Sequence, residues 1–188
     1  TIRAVKNNRT FIDDDDIKEA LDEIMIGIKK KERIMTDKEK KIVAYHEIGH
    51  ALIAYLLKET TPPLKISIIP RGENILGFSQ QEPEDKKLYT KGELLNKICV
   101  LLGGRLTEEL FFGGKNLEGV TNGAYDDIEK ITNILHKIYY EYGMIDEKLN
   151  YTNKKFVSDV LLEKLNRGMD KLLKSLENKT YTILEKHK

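Results

Sequence analysis

Apolar positions along this chain recur mostly three and four residues apart, which predicts helices before any chemistry is considered. Ile17, Ala20, Leu21, Ile24 and Ile28 form such a stripe behind the acidic run Asp13 to Asp16. An amphipathic helix is expected there, with its acids at the positive end of the dipole and Lys29-Lys30-Lys31 as a solvated terminus. Thr36-Asp37-Lys38-Glu39 has the form of a capping box and predicts a helix from Asp37 to about Leu57, ended by Pro62-Pro63. The β-rich stretches Leu64 to Ile69 and Leu76 to Gln80, separated by Pro70-Arg71-Gly72, predict a short antiparallel pair. A second capping box, Thr90-Lys91-Gly92-Glu93, opens a strongly apolar helix through Leu94, Ile98, Leu102, Leu106 and Leu110, expected at the centre of the core. Phe111 to Gly119 reads as a glycine-rich loop. Ile128, Ile131, Ile134, Leu135 and Ile138 carry a further helix with Gly143 as its stop. Leu149 to Lys155 is a polar linker, and from Ser158 onward Leu161, Leu165, Leu172, Leu176 and Leu184 make one or two lysine-rich helices. The fold class is therefore mainly α with a small antiparallel β unit.

Composition narrows the picture only a little. The 188 residues suit one domain with a short appendage. A formal net charge of +1 gives no reason to expect nucleic acid as a partner. Cys99 is the only cysteine, which excludes a disulfide within the chain, and its apolar neighbours mark it as a buried small hydrophobe. No apolar segment reaches the length of a bilayer crossing, and the start of the chain lacks a signal-peptide layout. Because Thr1 stands where an initiator methionine would, the sequence reads as a fragment of a longer chain.

The chemistry lies in His46-Glu47-Ile48-Gly49-His50, an H-E-x-x-H pattern inside the second helix, where Ile42, His46, His50 and Ala54 share a face. Four residues span slightly more than one helical turn, so the two imidazoles can converge on one ion, and zinc suits them. Glu47 flanks that face, where a carboxylate can reach an activated water without taking a coordination position. Gly49 costs a helix roughly 1 kcal/mol relative to alanine, which points to close packing against that turn. A catalytic zinc site wants a third protein ligand and an open position. Glu108, Glu109, Asp126 and Asp127 are the candidates, and spacing does not choose among them. The charges of Arg105, Glu108 and Glu109 on an otherwise buried helix suggest that one carboxylate faces the metal. His136 reads as non-ligating. The β pair either covers the core or offers an edge to an extended peptide.

Several ordered segments carry a resemblance: Ala44-Tyr45-His46-Glu47 through Gly49-His50-Ala51, Ile66 through Gly72, Leu76-Gly77-Phe78, Leu102-Gly103-Gly104-Arg105 with Glu108-Glu109, and Thr121 through Asp127. From Glu39 to Gly143 the chain closely resembles the peptidase domain of the FtsH family, membrane-anchored ATP-dependent zinc proteases that include the mitochondrial AAA proteases. The resemblance implies a zinc-metalloprotease helical domain over residues 34–188. It implies that residues 1–33 are the last helix and linker of an AAA+ ATPase module. It makes His46, His50 and Asp127 the ligands of one zinc ion per chain, Glu47 the catalytic base, and Leu76, Gly77, Phe78 and Ser79 the substrate-binding edge. Glu108 and Asp126 stay as the alternative third ligands. ATP and Mg2+ would belong only to an ATPase module upstream of Thr1, as would the membrane-spanning segments. Asp126, where bacterial members usually carry asparagine, is similar to mitochondrial members, which implies an organellar membrane, the mitochondrial inner membrane ahead of the plastid. Unfolded polypeptides would be the substrates and a homo- or hetero-hexamer the assembly.

Two other functions compete with hydrolysis of internal peptide bonds. A non-catalytic ring-forming assembly module with a structural metal requires a fourth protein ligand from Glu108, Glu109 or Asp126. A small-peptide hydrolase working without a partner requires full activity in the isolated fragment.

Overall fold

In the computed structural model, which describes residues 2–25, 27–29, 35–71, 76–81, 86–146, 150–151 and 158–188, the chain runs through eight named elements. These are α1 (Ile2–Lys6), α2 (Asp14–Met25), α3 (Asp37–Leu56), β1 (Pro63–Ser67), β2 (Phe78–Gln81), α4 (Lys91–Phe112), α5 (Tyr125–His136) and α6 (Asp159–Lys186). A 3-10 turn, Asn122–Ala124, leads into α5, and a π turn, Lys137–Glu141, prolongs it until Gly143 reverses the chain at φ +60°.

Both capping boxes form. Thr36 accepts the Glu39 N–H on its hydroxyl while the Glu39 carboxylate accepts the Thr36 N–H, and Thr90 and Glu93 repeat the pattern. Each box satisfies backbone donors that a helix start leaves open, so α3 and α4 begin where the local sequence says they should. From there α4 runs through the centre, with α3, α5 and α6 packed around it. Ile53, Ile98, Cys99 and Ile138 in this core are fully buried.

The crossing of α3 and α4 is set by two glycines. A Cβ on Gly49 would lie 2.3 Å from the Gly103 carbonyl oxygen, and one on Gly103 would lie 2.6 Å from that of Gly49. Only backbone fits there. The close packing expected at Gly49 is thus against α4, between the two histidines.

β1 and β2 pair antiparallel, Ser67 opposite Phe78 and Ile66 opposite Ser79, with a bulge between Pro63 and Lys65. Each strand is shorter than the β-rich stretch that predicts it, and Leu76 and Gly77 precede β2 instead of opening it. The N-terminal region departs further from expectation. Ile17, Leu21 and Ile24 of α2 are 52%, 52% and 80% exposed, whereas Asp16 and Asp22 are buried. The acidic face of α2 points inward because cations wait for it: Arg9 donates to Asp16, Lys29 to Glu19, and Lys65 and Arg71 to Asp22. The acid run therefore does more than cap its helix. α1, which the sequence pattern does not announce, precedes it.

The C-terminal stretch from Ser158 is one helix, not two. Most of the linker expected from Leu149 to Lys155 falls outside the described residues, as do Lys30, Lys31 and Gly72. Within that stretch Tyr151 is buried and donates its N–H to the Tyr140 carbonyl at 2.7 Å. Among the described residues no helix is long and apolar enough to cross a membrane.

Candidate metal centre and cleft

α3 presents His46 and His50 toward α4 and the start of α5. Gly104 of α4 makes room for them: a Cβ there would lie 2.5 Å from His50 Nε2 and 2.6 Å from His46 Nε2. Each ring is held from behind. His46 Nδ1 donates to Glu108 Oε1 and His50 Nδ1 donates to the Val100 carbonyl, both at 2.7 Å. Neither acceptor carries a proton to give, so both Nδ1 atoms bear the hydrogen and both Nε2 atoms are left to face the opening.

Asp127 closes the triangle. Its Oδ2 lies 3.2 Å from His46 Nε2 and 3.1 Å from His50 Nε2, and the two Nε2 atoms are 3.0 Å apart. Two imidazole lone pairs and a carboxylate at these separations repel unless a cation, a proton or a metal ion, sits among them. Ligands at ordinary zinc bond lengths on a tetrahedron stand about 3.3 Å apart, so the spacing fits zinc. Among the described residues His46, His50 and Asp127 are the one group close enough to hold a metal ion.

Electrostatics point the same way. Burial disfavours a charged His46, yet hydrogen bonding to Asp127 and Glu108 outweighs it and raises the pKa from the ordinary 6.5 to about 9. For Asp127, burial is overcome by hydrogen bonds from His46 and His50, which hold the carboxyl well below the usual range. Glu108 is lowered as well, with burial outweighed by His46 and Thr121. Glu47 goes the other way: burial pushes its pKa up against the pull of His50 and His46. A buried carboxylate with raised proton affinity beside a cation site is suited to accept and return a proton.

The remaining candidates have other partners. Glu108 sits behind His46, its Oε2 accepting the Thr121 N–H at 2.8 Å and hydroxyl at 2.9 Å. Glu109 pairs with Arg105 at 2.8 Å. Asp126 lines the cleft without joining the triangle. His136 stacks on Tyr140, ring centroids 4.6 Å apart. The back-side partners Val100 and Thr121 and the clearance at Gly104 are not among the expected site residues. The doubled glycine at 103–104 was their one visible trace.

The triangle opens into a cleft of about 840 Å³. Leu76, Gly77, Phe78 and Ser79 all border it, with Asn122, Asp126 and Lys130 among its other residues. Gly77 passes so near Glu47 that a Cβ would lie 3.0 Å from its Oε1.

A helix-borne H-E-x-x-H, a distant aspartate folded onto it and a strand edge beside the opening together define a metallopeptidase domain. Residues 33–188 match peptidase family M41, and the chain belongs to that family. Over 152 residues it is 47% identical to the ATP-dependent zinc metalloprotease FtsH of Syntrophobacter fumaroxidans, covering 79% of this chain and 23% of that protein. The FtsH of Clostridium perfringens is 46% identical over 144 residues, 76% of this chain and 19% of that protein. FtsH 1 of Petrotoga mobilis is 36% identical over 201 residues, 98% of this chain and 30% of that protein. The chain thus spans less than a third of the length of these curated relatives. The peptidase family and the mainly α fold expected from the sequence both hold.

Proposed function

We propose that the chain is the zinc-dependent endopeptidase domain of an ATP-dependent, membrane-anchored protease that degrades unfolded and membrane polypeptides. The observation that carries this reading is the convergence of His46 Nε2, His50 Nε2 and Asp127 Oδ2 to within 3.2 Å of one another beside the buried Glu47. His46, His50 and Asp127 would hold the ion, which when bound supplies Lewis acidity and lowers the pKa of a water toward about 7. Glu47 takes the proton of the attacking water and returns it to the leaving amine. Glu108 and the Val100 carbonyl keep both Nε2 atoms directed at the opening. Leu76 to Ser79 receive the substrate as an added strand, by its main chain, which fits broad sequence tolerance.

In this reading residues 1–33 belong to the end of an ATPase module that binds ATP and Mg2+, and the working assembly is a homo- or hetero-hexamer. The aspartate at 126 supports an organellar membrane, the mitochondrial inner membrane ahead of the plastid. The assembly-module reading loses support at the fourth ligand, because Glu108 and Glu109 are engaged elsewhere and Asp126 lines the cleft without joining the group of His46, His50 and Asp127.

The deciding experiment measures zinc by mass spectrometry and chelator-sensitive cleavage of unfolded casein. One zinc per chain together with that cleavage supports the endopeptidase. Metal without cleavage, in the full-length protein supplied with ATP, overturns it.

A further inference from the structure

The β unit that borders the cleft is anchored by charge more than by apolar burial. Leu64 and Ile66 of β1 are 64% and 42% exposed, so little oil holds the strand down. Just beyond β1, Arg71 is 2% exposed. Its Nη2 donates to Glu19 Oε1 and to Asp22 Oδ2, both at 2.9 Å, and its Nη1 donates to the Gly27 carbonyl at 3.4 Å. Both acids belong to α2. Lys65 of β1 donates to the same oxygen of Asp22, Lys29 donates to Glu19 at 2.6 Å, and the backbones of Lys29 and Arg71 form an antiparallel bridge. The Arg71 guanidinium carbon and Lys65 Nζ each also lie 5.9 Å from the centroid of the Phe78 ring. Phe78 pairs with Ser67 in the sheet and borders the cleft. A planar guanidinium with five donors can grip two carboxylates and still offer a face to an aromatic ring, which an ammonium cannot do.

We propose that Arg71 is a positioning residue for the substrate edge: clamped from α2 by Glu19 and Asp22, it holds Phe78 and the adjoining Leu76 to Ser79 at the height above Glu47 where a polypeptide backbone is received. The inference rests on the reading of that edge as substrate-binding. Height matters here because Gly77 already passes at the limit of contact with Glu47. The consequence is that Glu19 and Asp22, which do not border the cleft, control what the cleft binds.

The test compares the zinc-loaded protein with Glu19→Gln, Asp22→Asn, Arg71→Met and Arg71→Lys. Glu19→Gln and Asp22→Asn keep a carbonyl acceptor for Arg71, so the test survives if Arg71→Met fails to fold. One arm measures kcat and KM on an extended unfolded peptide. The other measures anisotropy of a labelled peptide in a Glu47→Gln background, which needs no turnover. Both KM and Kd are expected to rise roughly five- to tenfold, the loss of about one hydrogen bond to the substrate, with kcat and zinc content unchanged and Arg71→Lys recovering part of the effect. A fall in kcat with KM and Kd unmoved would overturn the proposal, as would a lowered melting temperature with neither constant altered. Parent protein that holds no zinc or cleaves nothing counts against the endopeptidase reading alone, and the anisotropy arm still decides the role of Arg71.

Discussion

His46 and Glu47 are neighbours in the chain, and the proton affinity of each is raised, but by opposite means: burial raises Glu47, whereas hydrogen bonds to Asp127 and Glu108 raise His46 against its burial. Glu47 is buried and makes no hydrogen bond to protein among the described residues, which keeps its carboxylate available to water, whereas His46 is gripped on both nitrogens. Glu47→Gln is therefore expected to keep full zinc occupancy and lose at least about a hundredfold in kcat, the ordinary weight of a general base. Asp127→Ala is expected to lose zinc and activity together; mass spectrometry beside a casein assay separates the two. Normal turnover by Glu47→Gln would remove the role assigned to it. A pH dependence follows from the proton that competes with the metal at His46 Nε2. In metal-free protein the raised pKa contributes stability that is complete below pH 6.5 and is lost as pH rises through about 9. Zinc replaces that proton, so its affinity should strengthen across the same window, with about one proton released per ion bound. Calorimetry in buffers of different ionisation enthalpy reads the proton count, and a pH-independent affinity would contradict the assignment. At this scale the histidines were legible because four residues along one helix suffice to place them. The choice among Asp127, Asp126 and Glu108 was not, since it depends on how α5 is aimed. Glu108 contributes to that aim by accepting two hydrogen bonds from Thr121, at the entrance to the turn before α5.

Among the elements, what could be read in advance is what depends on near neighbours. Thr36 with Glu39 and Thr90 with Glu93 are three residues apart, and both helices start at them. The inward acidic face of α2 depends on Arg71, 52 positions from Glu19, so no local pattern could show that Ile17 and Leu21 would be displaced outward. The π turn that prolongs α5 had no local signal either, and only its stop at Gly143 was visible. Gly49 stands between these cases. Its cost to helix propensity advertised a contact, while the partner, Gly103, came only with the fold. Gly49→Ala would place a methyl 2.3 Å from both the Gly103 carbonyl oxygen and Thr107 Oγ1. Neither backbone can yield without parting α3 from α4, so overpacking should outweigh the gain in helix propensity and destabilise the protein by about 1–3 kcal/mol. Because Gly49 directly precedes His50, zinc affinity should fall too. Denaturant unfolding with zinc titration measures both, and an alanine that stabilised the protein would refute the contact.

At the scale of the whole molecule the metal site joins elements that the core joins only in part. His46 and His50 come from α3 and Asp127 from the first turn of α5, and α5 otherwise packs chiefly on α4 through Ile131 and Leu135. An ion shared by α3 and α5 would be a tie that the unfolded chain does not have, so binding adds to folding stability as the logarithm of one plus the ratio of free zinc to its dissociation constant. At free zinc about a thousand times the dissociation constant the gain is about 4 kcal/mol. For a domain near this size each kcal/mol moves the melting temperature by about 2–4 °C. Chelation should then lower the melting temperature by on the order of 10 °C, and the loss should grow between pH 6.5 and 9 as the proton that substitutes for zinc leaves His46. Hydrogen exchange should rise first at the start of α5 and around Thr121, where Glu108 and Asp127 transmit the tie, and least in α6, which contributes no ligand and packs chiefly on α4, with Leu176 and Leu184 in the core. Asp127→Ala should melt at the same temperature with and without chelator. If the parent protein did so while carrying a full complement of zinc, the ion would lie somewhere other than between α3 and α5.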